Sequence, residues 1–422
     1  MTAVALHEPA PGARVAEFRR AWRVVLAAAL GAGTGAVPIA FYSFGALVGP
    51  LSAAFGWSRA EITAAPLFLT IGGLVAGIFA GAAADRYGAR RVVLISQVAL
   101  VLAFAAMALL PRSLPLFYFG YAMIAVLGAG TMTMTWTRAI TGWFVAGRGL
   151  ALGLSLVGTG LIGALLPTYV NRLVEAYGWQ GAFIGLAALP LLLGMPLTIA
   201  FFREPEEAGA RGEAAPAVDE GGFSLRQALA TRCFWQMVLS FTVVAVAISA
   251  INVHAVPLLT DRGVTPAAAA ALAGLIGLAV TGGRLVSGFL LDRMSGPLLA
   301  FLMFGLPALA CLLLVGAGTN LWLCGLAIAI VGLAAGAEHD IAAYFCARYF
   351  GRKHYGKTYG LLYTLYGVGA GLGPFVAGWA VGESGDYRPA LYGGAALFAT
   401  AAALILTLRG PVDVSSDVAP AK

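Results

Sequence analysis

Long apolar stretches, separated by short polar breaks, follow one another along almost the whole chain. Each is long enough to cross the hydrocarbon core of a bilayer, which takes about 20 residues of α-helix. They predict twelve helical spans, at 22–51, 60–83, 91–111, 115–143, 148–172, 180–202, 232–258, 266–290, 297–317, 320–347, 357–382 and 388–408. The first stretch exceeds the apolar core of a signal peptide and no A-x-A cleavage pattern follows it, so we interpret it as a retained span.

Two patterns of glycine and charge occur twice along the chain. The first ends an apolar stretch each time, as Gly81, Asp85 and Arg86 and again as Gly288, Asp292 and Arg293. The second consists of Gly149, Gly153 and Gly160 and of their counterparts Gly356, Gly360 and Gly367. Both repeats have an offset of 207 residues (288 − 81 and 356 − 149). Two repeats at one offset predict two homologous halves, which is how many secondary transporters are built.

Composition and charge narrow the class of protein. Hydrophobic residues make up 60% of the chain and charged residues 11%, whereas about a quarter of an ordinary soluble domain is charged. The net charge is +7, and 19 of the 26 lysine and arginine residues fall on one side of the predicted membrane against 5 on the other. This bias predicts cytoplasmic termini in a bacterial cytoplasmic (inner) membrane. Topology thus explains the charge, and no nucleic-acid partner is expected.

Polar composition also divides the chain. The segment 203–231 combines acidic residues with proline and glycine, as expected of a flexible linker between two halves of six spans. At the start of the second span, Ser58 and Glu61 have the spacing of a capping box, and Thr265 with Pro266 predicts the start of the eighth. We therefore predict a cytoplasmic tail, a six-helix bundle, a cytoplasmic linker, a second bundle and a cytoplasmic tail, at 1–21, 22–203, 204–231, 232–409 and 410–422.

The segment from Gly81 through Asp85, Arg86, Arg90 and Arg91 resembles the loop signature of the major facilitator superfamily. The resemblance covers essentially the whole chain, with twelve spans, a six-plus-six repeat and a shortened second copy of the signature. It implies an all-α membrane protein whose twelve transmembrane helices form two pseudo-symmetric six-helix bundles and work by alternating access.

In this family the loop takes part in the switch between inward-facing and outward-facing states. The resemblance carries this gating role to Asp85, Arg86, Arg90, Arg91, Asp292 and Arg293. We add Arg138 of the fourth span, which lies nearer the cytoplasmic end, although it could instead face the cavity. The alternative is that these charges only fix the topology.

A narrower resemblance rests on four short motifs. They are Pro50-Leu51-x3-Phe55-Gly56-Trp57-Ser58-Arg59, Trp143-Phe144-x3-Arg148-Gly149-Leu150-Ala151-x-Gly153, Arg348-Tyr349-Phe350-Gly351 and Gly367-x5-Gly373-Pro374. In this order and on these spans, they resemble the monocarboxylate-porter and oxalate–formate-exchanger branch of the superfamily.

Arg284, in the eighth span, is the clearest candidate for substrate binding. An arginine at membrane depth costs free energy unless it faces a partner or a wet cavity, and its planar fork suits a carboxylate. In the branch named above, an arginine of span eight binds the substrate carboxylate, and Arg284 matches it after Gly282 and Gly283. The alternative is a structural salt bridge, for example to Asp340.

The chain departs from the pattern of the branch at three positions. Val280 stands where monocarboxylate porters have an aspartate that takes part in proton coupling, and Ile39 stands at the position of a lysine in span one. Tyr366 replaces the lysine that the oxalate exchanger has in span eleven. With one strong cation inside the second half, a monoanion fits better than a dicarboxylate, and the coupling mechanism stays open.

Other polar and aromatic residues inside spans are further candidates. Together with Arg284, we predict as substrate-binding residues His254, Asn252, Tyr42, Trp136, Tyr363 and Tyr366. Acids within spans mark ion paths or pair with cations, and histidine changes charge near neutral pH, so the proton-coupling candidates are His254, Glu338 and Asp340. Packing, a helix–helix hydrogen bond or an interfacial anchor is the alternative for each. No P-loop or CxxC spacing is present, and we expect no catalytic site, cofactor or metal.

The sequence therefore predicts a secondary active transporter of a small organic anion, with a monocarboxylate as the first choice. Proton symport is favoured because a monoanion that enters a negative interior needs a compensating charge. The expected partners are the anion, protons and the bilayer, and one chain contains a complete pathway, so a monomer is expected to suffice. The alternatives are anion exchange, efflux of an organic or drug-like compound and, more remotely, a transporter-like sensor without flux.

Overall fold

The protein is almost entirely helical over the residues that the computed structural model describes, 13–144, 146–205, 222–291, 293–351 and 354–408. Side chains at positions 13, 14, 78, 85, 148 and 149 are outside this description. The first half consists of α1 (Ala13–Gly33), α2 (Ala36–Tyr42), α3 (Phe44–Phe55), α4 (Arg59–Thr63), α5 (Ala65–Tyr87), α6 (Ala89–Met107), α7 (Leu114–Leu127), α8 (Thr133–Trp143), α9 (Arg148–Leu189) and α10 (Met195–Phe201). After a short helix, α11 (Leu225–Ala230), the second half consists of α12 (Arg232–Asp261), α13 (Pro266–Leu291), α14 (Gly296–Gly316), α15 (Leu321–Phe350), α16 (Tyr355–Ser384) and α17 (Arg388–Leu406).

Nine helices of the described chain are long and apolar enough to cross a membrane, or ten if the bent pair α1 and α2 forms one span. This count is lower than the twelve predicted spans because one of the nine ranges contains two spans and other spans are divided into shorter helices. Leu150–Phe201 counts as one of the nine, although the left-handed backbone of Gly178 (φ 72°) divides it into two helices, one for the fifth and one for the sixth predicted span, which fold back on each other so that the Tyr169 hydroxyl donates to Gly185 O at 3.1 Å. A 3-10 turn at Ala129–Thr131 divides the fourth into α7 and α8. Each predicted span thus overlaps a helix or a broken helix.

The breaks in the first and fourth spans are paired with each other. The N–H of Ala36, at the start of α2, donates to Thr131 Oγ1 at 3.0 Å, and this hydroxyl donates to Gly128 O at 2.6 Å. Lipid offers no hydrogen-bond partner, so backbone groups freed by a break need such internal ones. As a result α2 is a separate short helix, and it ends at Tyr42.

Corresponding helices pack together in the two halves. In the first half α1 packs on α9, α5 on α7, and α6 on the π-helical segment Pro190–Gly194. In the second half α12 packs on α16, α13 on α15, and α14 on α17. Spans one and five, two and four, and three and six therefore have the counterparts seven and eleven, eight and ten, and nine and twelve. This is the internal symmetry that the 207-residue repeat predicts.

The two halves are in contact at positions where glycine has no side chain to separate the backbones. An added Cβ would lie 2.2 Å from Ala164 O at Gly274, and 2.5 Å from Gly160 O at Gly277, so the backbones of α9 and α13 touch. The helices α5 and α16, which are the counterparts of α13 and α9, meet at Gly371, where a Cβ would lie 3.0 Å from Leu67 Cα. Small residues at both crossings therefore hold the halves together.

Away from these crossings the halves close on one side only. We call the side where α1 begins and α17 ends the terminal side, and the opposite one the far side. On the far side α16 packs on α4, and a Cβ at Gly378 would lie 3.1 Å from Ala60 Cα. Toward the terminal side, a Cβ at Gly153, Gly288 or Gly360 would meet no described atom within 4 Å. Over the described residues, the halves are thus in contact on the far side and apart at these three positions toward the terminal side.

Two predicted helix starts are confirmed. Ser58 and Glu61 form a capping box at α4, and Thr265 Oγ1 accepts from Ala268 N–H at 3.4 Å at the start of α13. The predicted linker differs from a uniformly irregular segment, because its last part forms α11, which has a capping box of its own. The rest of the linker from 206 to 221, and the tails 1–12 and 409–422, lie outside the described residues.

Gly277→Ala tests the contact between the halves. Because the added methyl would overlap the backbone of α9, we expect the melting temperature of the purified protein to fall by several degrees, as overpacking costs about 1–3 kcal/mol. Gly282→Ala, on the same helix, is the matched control, since its Cβ would meet only Leu333 Cδ2 at 3.6 Å. Equal melting temperatures for the two variants would contradict the tight crossing.

Candidate transport site

One face of α13 leads from the contact with the first half to Arg284. Gly274, Gly277 and Thr281 on this face touch α9. Arg284 follows Gly277 by seven residues and Thr281 by three, so it continues the same face toward the terminal side, where the halves part. The side chain is half-buried, and its guanidinium makes no hydrogen bond or ion pair with any residue of the described ranges.

Helix α15 presents Glu338 and His339 to Arg284, which is close enough to act electrostatically on both. Glu338 is only 2% exposed and accepts a hydrogen bond from the Tyr366 hydroxyl through Oε1. Its Oε2 is buried without a hydrogen-bond partner among the described residues. The His339 ring packs on Tyr363 and Tyr366, with centroids 5.5 and 5.1 Å apart, and its Nδ1 lies 3.6 Å from Glu338 Oε1. A cation and a buried acid thus share one site.

Tyr363 continues the face of α16 that meets the first half. Gly371 packs on α5, and a Cβ at Gly367 would lie 3.5 Å from Thr70 Cγ2. Tyr363 is one helical turn further toward the terminal side, on the same face, and is 43% exposed. It therefore lines the space between the halves opposite α13.

Tyr42, at the end of α2, is the aromatic contribution of the first half. Its ring packs on Gly163 of α9, where a Cβ would come within 2.9 Å of it. It is in electrostatic range of Arg284 and Glu338, and it packs against the hydrophobic cores of both halves. The structure thus brings four predicted site residues, Arg284, Tyr42, Tyr363 and Tyr366, together with the proton-coupling candidate Glu338.

Asp340 has a partner other than Arg284. Ser287 Oγ donates to Asp340 Oδ2 at 3.0 Å and so ties α13 to α15. Among the described residues no salt bridge within 4 Å joins Asp340 to Arg284, although Arg284 is close enough to act electrostatically on Asp340. The site can accordingly bind an anion at Arg284 and exchange a proton at Glu338, but no group of described residues there could hold a metal ion.

Three residues predicted to bind the substrate, Trp136, Asn252 and His254, lie outside this group. Trp136 is fully buried among α1, α8 and α10, where its Nε1 donates to Thr131 O at 3.0 Å. Asn252 is buried where α12 packs on α3. His254 is 2% exposed and belongs to a different cluster on the far side. The sequence could not separate these positions from the cavity, because each side chain is placed by contacts with distant helices.

The far-side network consists of Arg59, Asp261, Tyr387 and His254. The Arg59 guanidinium of the first half makes a bidentate ion pair with Asp261 of the second half, with Nη2 to Oδ1 at 2.7 Å, and donates to the Tyr387 hydroxyl at 3.3 Å. His254 Nδ1 lies 2.9 Å from that hydroxyl, and Nε2 donates to Pro374 O at 2.9 Å. A carbonyl oxygen can only accept, so Nε2 carries the proton and in the neutral ring Nδ1 accepts from Tyr387.

Sequence analysis missed this network. Arg59 and Asp261 carry opposite charges, begin or end spans on the same side, and belong to different halves. These three properties are visible in the sequence and could have suggested the pair. The participation of Tyr387 depends on the path of the turn after α16, which no local pattern predicts.

The predicted gating residues on the terminal side make contacts within their own halves. Arg90 Nη2 donates to Ile199 O at 2.7 Å, and Arg293 donates to Phe289 O at 3.1 Å. Arg138 Nε lies 3.9 Å from Glu204, whose Oε2 accepts the Ala89 N–H at 3.0 Å. Arg86 and Arg91 are exposed. Outside the description lie residue Asp292 and the side chain of Asp85. Each of these contacts lies within one half.

Long apolar helices arranged as two pseudo-symmetric halves are the architecture of an integral membrane transporter. The sequence matches the Major Facilitator Superfamily over residues 30–345 and 298–422. The chain therefore belongs to the Major Facilitator Superfamily, and its relatives are membrane transporters and not enzymes.

Among curated proteins, the chain is similar to Monocarboxylate transporter 11 of Homo sapiens, 29% identical over 326 residues that cover 72% of this chain and 66% of the relative. It is also similar to Monocarboxylate transporter 12-B of Danio rerio, 25% identical over 309 residues that cover 64% of each protein. The matches span slightly less than two thirds of these relatives. The nucleoside transporter NupG has the same fold, with a TM-score of 0.73, 13% identity, and coverage of 91% of this chain and 99% of that one.

Opposite changes at Arg59 and Asp261 test whether the ion pair closes the far side. Arg59→Asp and Asp261→Arg each place like charges together, so we expect faster hydrogen–deuterium exchange at 56–60 and 259–265. The double variant restores opposite charges and should slow exchange again. Arg388→Gln is the control, because Arg388 pairs with nearby Asp386 at 3.4 Å within the second half. If the double variant exchanges as fast as the single variants, the Arg59–Asp261 ion pair does not close the far side.

Proposed function

We propose that the protein is a secondary transporter of a small monocarboxylate, coupled to protons, in a bacterial cytoplasmic membrane with both termini in the cytoplasm. The observation that carries this proposal is the guanidinium of Arg284, half-buried between the halves and without a partner among the described side chains. The similarity to two monocarboxylate transporters supports the substrate class.

An arginine keeps its charge within a membrane protein, and the free energy of burying that charge falls when an anion pairs with it. The fork of N–H donors matches the two oxygens of a carboxylate. Arg284 lies where the halves part, so a bound anion would contact both halves and could be released when the terminal side opens. On the predicted topology, the present conformation faces the cytoplasm.

The charges around Arg284 favour one carboxylate over two. Glu338 and Asp340 are both in electrostatic range of Arg284, and the nearby rings of Tyr42 and Tyr363 carry no cationic group. On the first half, the side chain of Arg138 is held near Glu204. A second substrate carboxylate would therefore add a negative charge beside Glu338, and the described part of the site contains no second arginine or lysine to balance it.

The same charges suggest how proton and substrate are coupled. When a substrate carboxylate binds Arg284, two carboxylates share one guanidinium in a medium of low dielectric constant. A proton taken up by Glu338 removes the uncompensated charge, and release of either ligand then favours release of the other, because coupling between sites is reciprocal. Glu338 suits this role better than Asp340, because it is more deeply buried and its Oε2 has no hydrogen-bond partner among the described residues. His254 belongs to the far-side network.

Arg284→Gln tests the substrate-binding role. Removing the charge and the fork should lower the initial uptake of a labelled monocarboxylate into proteoliposomes about a hundredfold, within the range for truncating one partner of a buried charge pair. Passive entry is subtracted with protein-free liposomes. Arg172→Gln makes the same change at an exposed arginine and should transport normally. Equal uptake by the two variants would rule out the assigned role of Arg284.

Glu338→Gln tests the proton-coupling role. The amide can still accept the hydrogen bond of Tyr366 but cannot exchange a proton, so an imposed pH gradient should no longer drive accumulation, while exchange of labelled for unlabelled substrate persists. Asp340→Asn, which changes the acid bonded to Ser287, should keep its response to the gradient. If the unaltered protein itself ignores the pH gradient yet exchanges substrate, anion exchange replaces symport.

A further inference from the structure

Four tyrosines form a continuous stack along one face of α16. Tyr355, Tyr359, Tyr363 and Tyr366 follow at intervals of four, four and three residues, which keeps them on one face of a helix. Their successive ring centroids are 5.4, 6.0 and 5.7 Å apart, with interplanar angles of 6°, 29° and 18°. We call this row of rings the tyrosine ladder.

The tyrosine ladder runs from the terminal-side start of α16 to the neighbourhood of Arg284. Tyr366 bonds to Glu338, and Tyr363 contacts His339 and is in electrostatic range of Arg284. Tyr363 is 43% exposed although it shares a face with Gly367 and Gly371, which pack on the first half. Its uncovered surface therefore faces the space between the halves, along the route that a substrate would take.

Aromatic rings approach Arg284 from three different helices. Tyr42 comes from α2, His339 from α15 and Tyr363 from α16, and the ring of Tyr366 packs on that of His339. The face of an aromatic ring carries partial negative charge and its edge partial positive charge. A carboxylate is therefore drawn to the guanidinium and away from the ring faces, whereas a ring of the substrate can stack on them or meet them edge to face.

We propose that the substrate is an aromatic monocarboxylate, whose carboxylate binds Arg284 and whose ring packs against the tyrosine ladder at Tyr363, with Tyr42 on the opposite wall. This inference rests on the proposed function and narrows its substrate class. Tyrosine rings line both the path to the site and the site itself. An aromatic acid therefore exchanges one ring contact for the next as it moves toward Arg284.

The test compares benzoate with cyclohexanecarboxylate. The two have the same number of carbon atoms and one carboxylate each, but only benzoate is aromatic, and cyclohexanecarboxylate is the more hydrophobic. Binding to the purified full-length protein is measured by isothermal titration calorimetry, which avoids passive permeation of weak acids. We expect benzoate to bind about five- to tenfold more tightly, as aromatic pairs add to simple burial. Equal or tighter binding of cyclohexanecarboxylate would overturn the inference.

Two substitutions at one position assign the preference to the ladder. Tyr363→Phe keeps the ring and should keep the preference for benzoate, whereas Tyr363→Leu removes the ring and should bring the ratio of the two dissociation constants close to one. A preference that survives in a folded Tyr363→Leu protein would contradict the role of the ladder.

Failure of this inference and failure of the proposed function give different results. If both acids bind equally and Arg284→Gln abolishes both, the carboxylate site stands and the aromatic class is wrong. If Arg284→Gln leaves binding of both acids unchanged, or if neither acid nor a short aliphatic carboxylate binds the unaltered protein, the proposed function itself is wrong and the aromatic class falls with it.

Discussion

The close contact of α9 and α13 is the constraint on which the arrangement of the site depends. With glycine at 160, 274 and 277, the two backbones touch, and no side chain can enter the crossing. Arg284 comes two helical turns after Gly277 on the same face, so it lies where the crossing ends and the halves begin to separate. The symmetric crossing of α5 and α16 places Tyr363 in the same way. Two backbone contacts thus determine which side chains face the space between the halves.

The 207-residue repeat accounts for the packing of the helices in two similar halves, and the charged residues of the site lie at positions that do not repeat. Subtracting 207 from Glu338 gives Thr131, and subtracting it from Arg284 gives Gly77. Thr131 satisfies the backbone break of the first span through Ala36, whereas Glu338 carries an ionisable group at the related place in the second half. The charged members of the site thus belong to the second half, and the first half contributes the ring of Tyr42. A pseudo-symmetric framework can carry an asymmetric site because packing needs only the repeated small residues.

The far-side network and the open terminal side are complementary. Arg59 and Asp261 join the halves at the far end, while the described contacts of Arg90, Arg138 and Arg293 on the terminal side stay inside one half. Ion pairs that join the halves on one side have to part when the other side closes, and such pairs are weak when water can reach them. Partial exposure of the Arg59–Asp261 pair therefore suits a contact that must form and break during each cycle.

Apolar length, repeat and loop signature were enough to predict an all-helical membrane protein of two homologous halves, because the bilayer leaves few alternatives for an apolar chain. The same patterns singled out Arg284, since a charge inside a span is conspicuous without any structure. They could not tell Tyr42 and Tyr363, which face the cavity, from Trp136 and His254, which do not. That distinction depends on the rotation of each helix against its neighbours, and on breaks such as the one at Ala36, which long-range packing and hydrogen bonding decide. The sequence determined the membrane fold and the cation inside the eighth span, and only the tertiary structure decided which other side chains surround that cation.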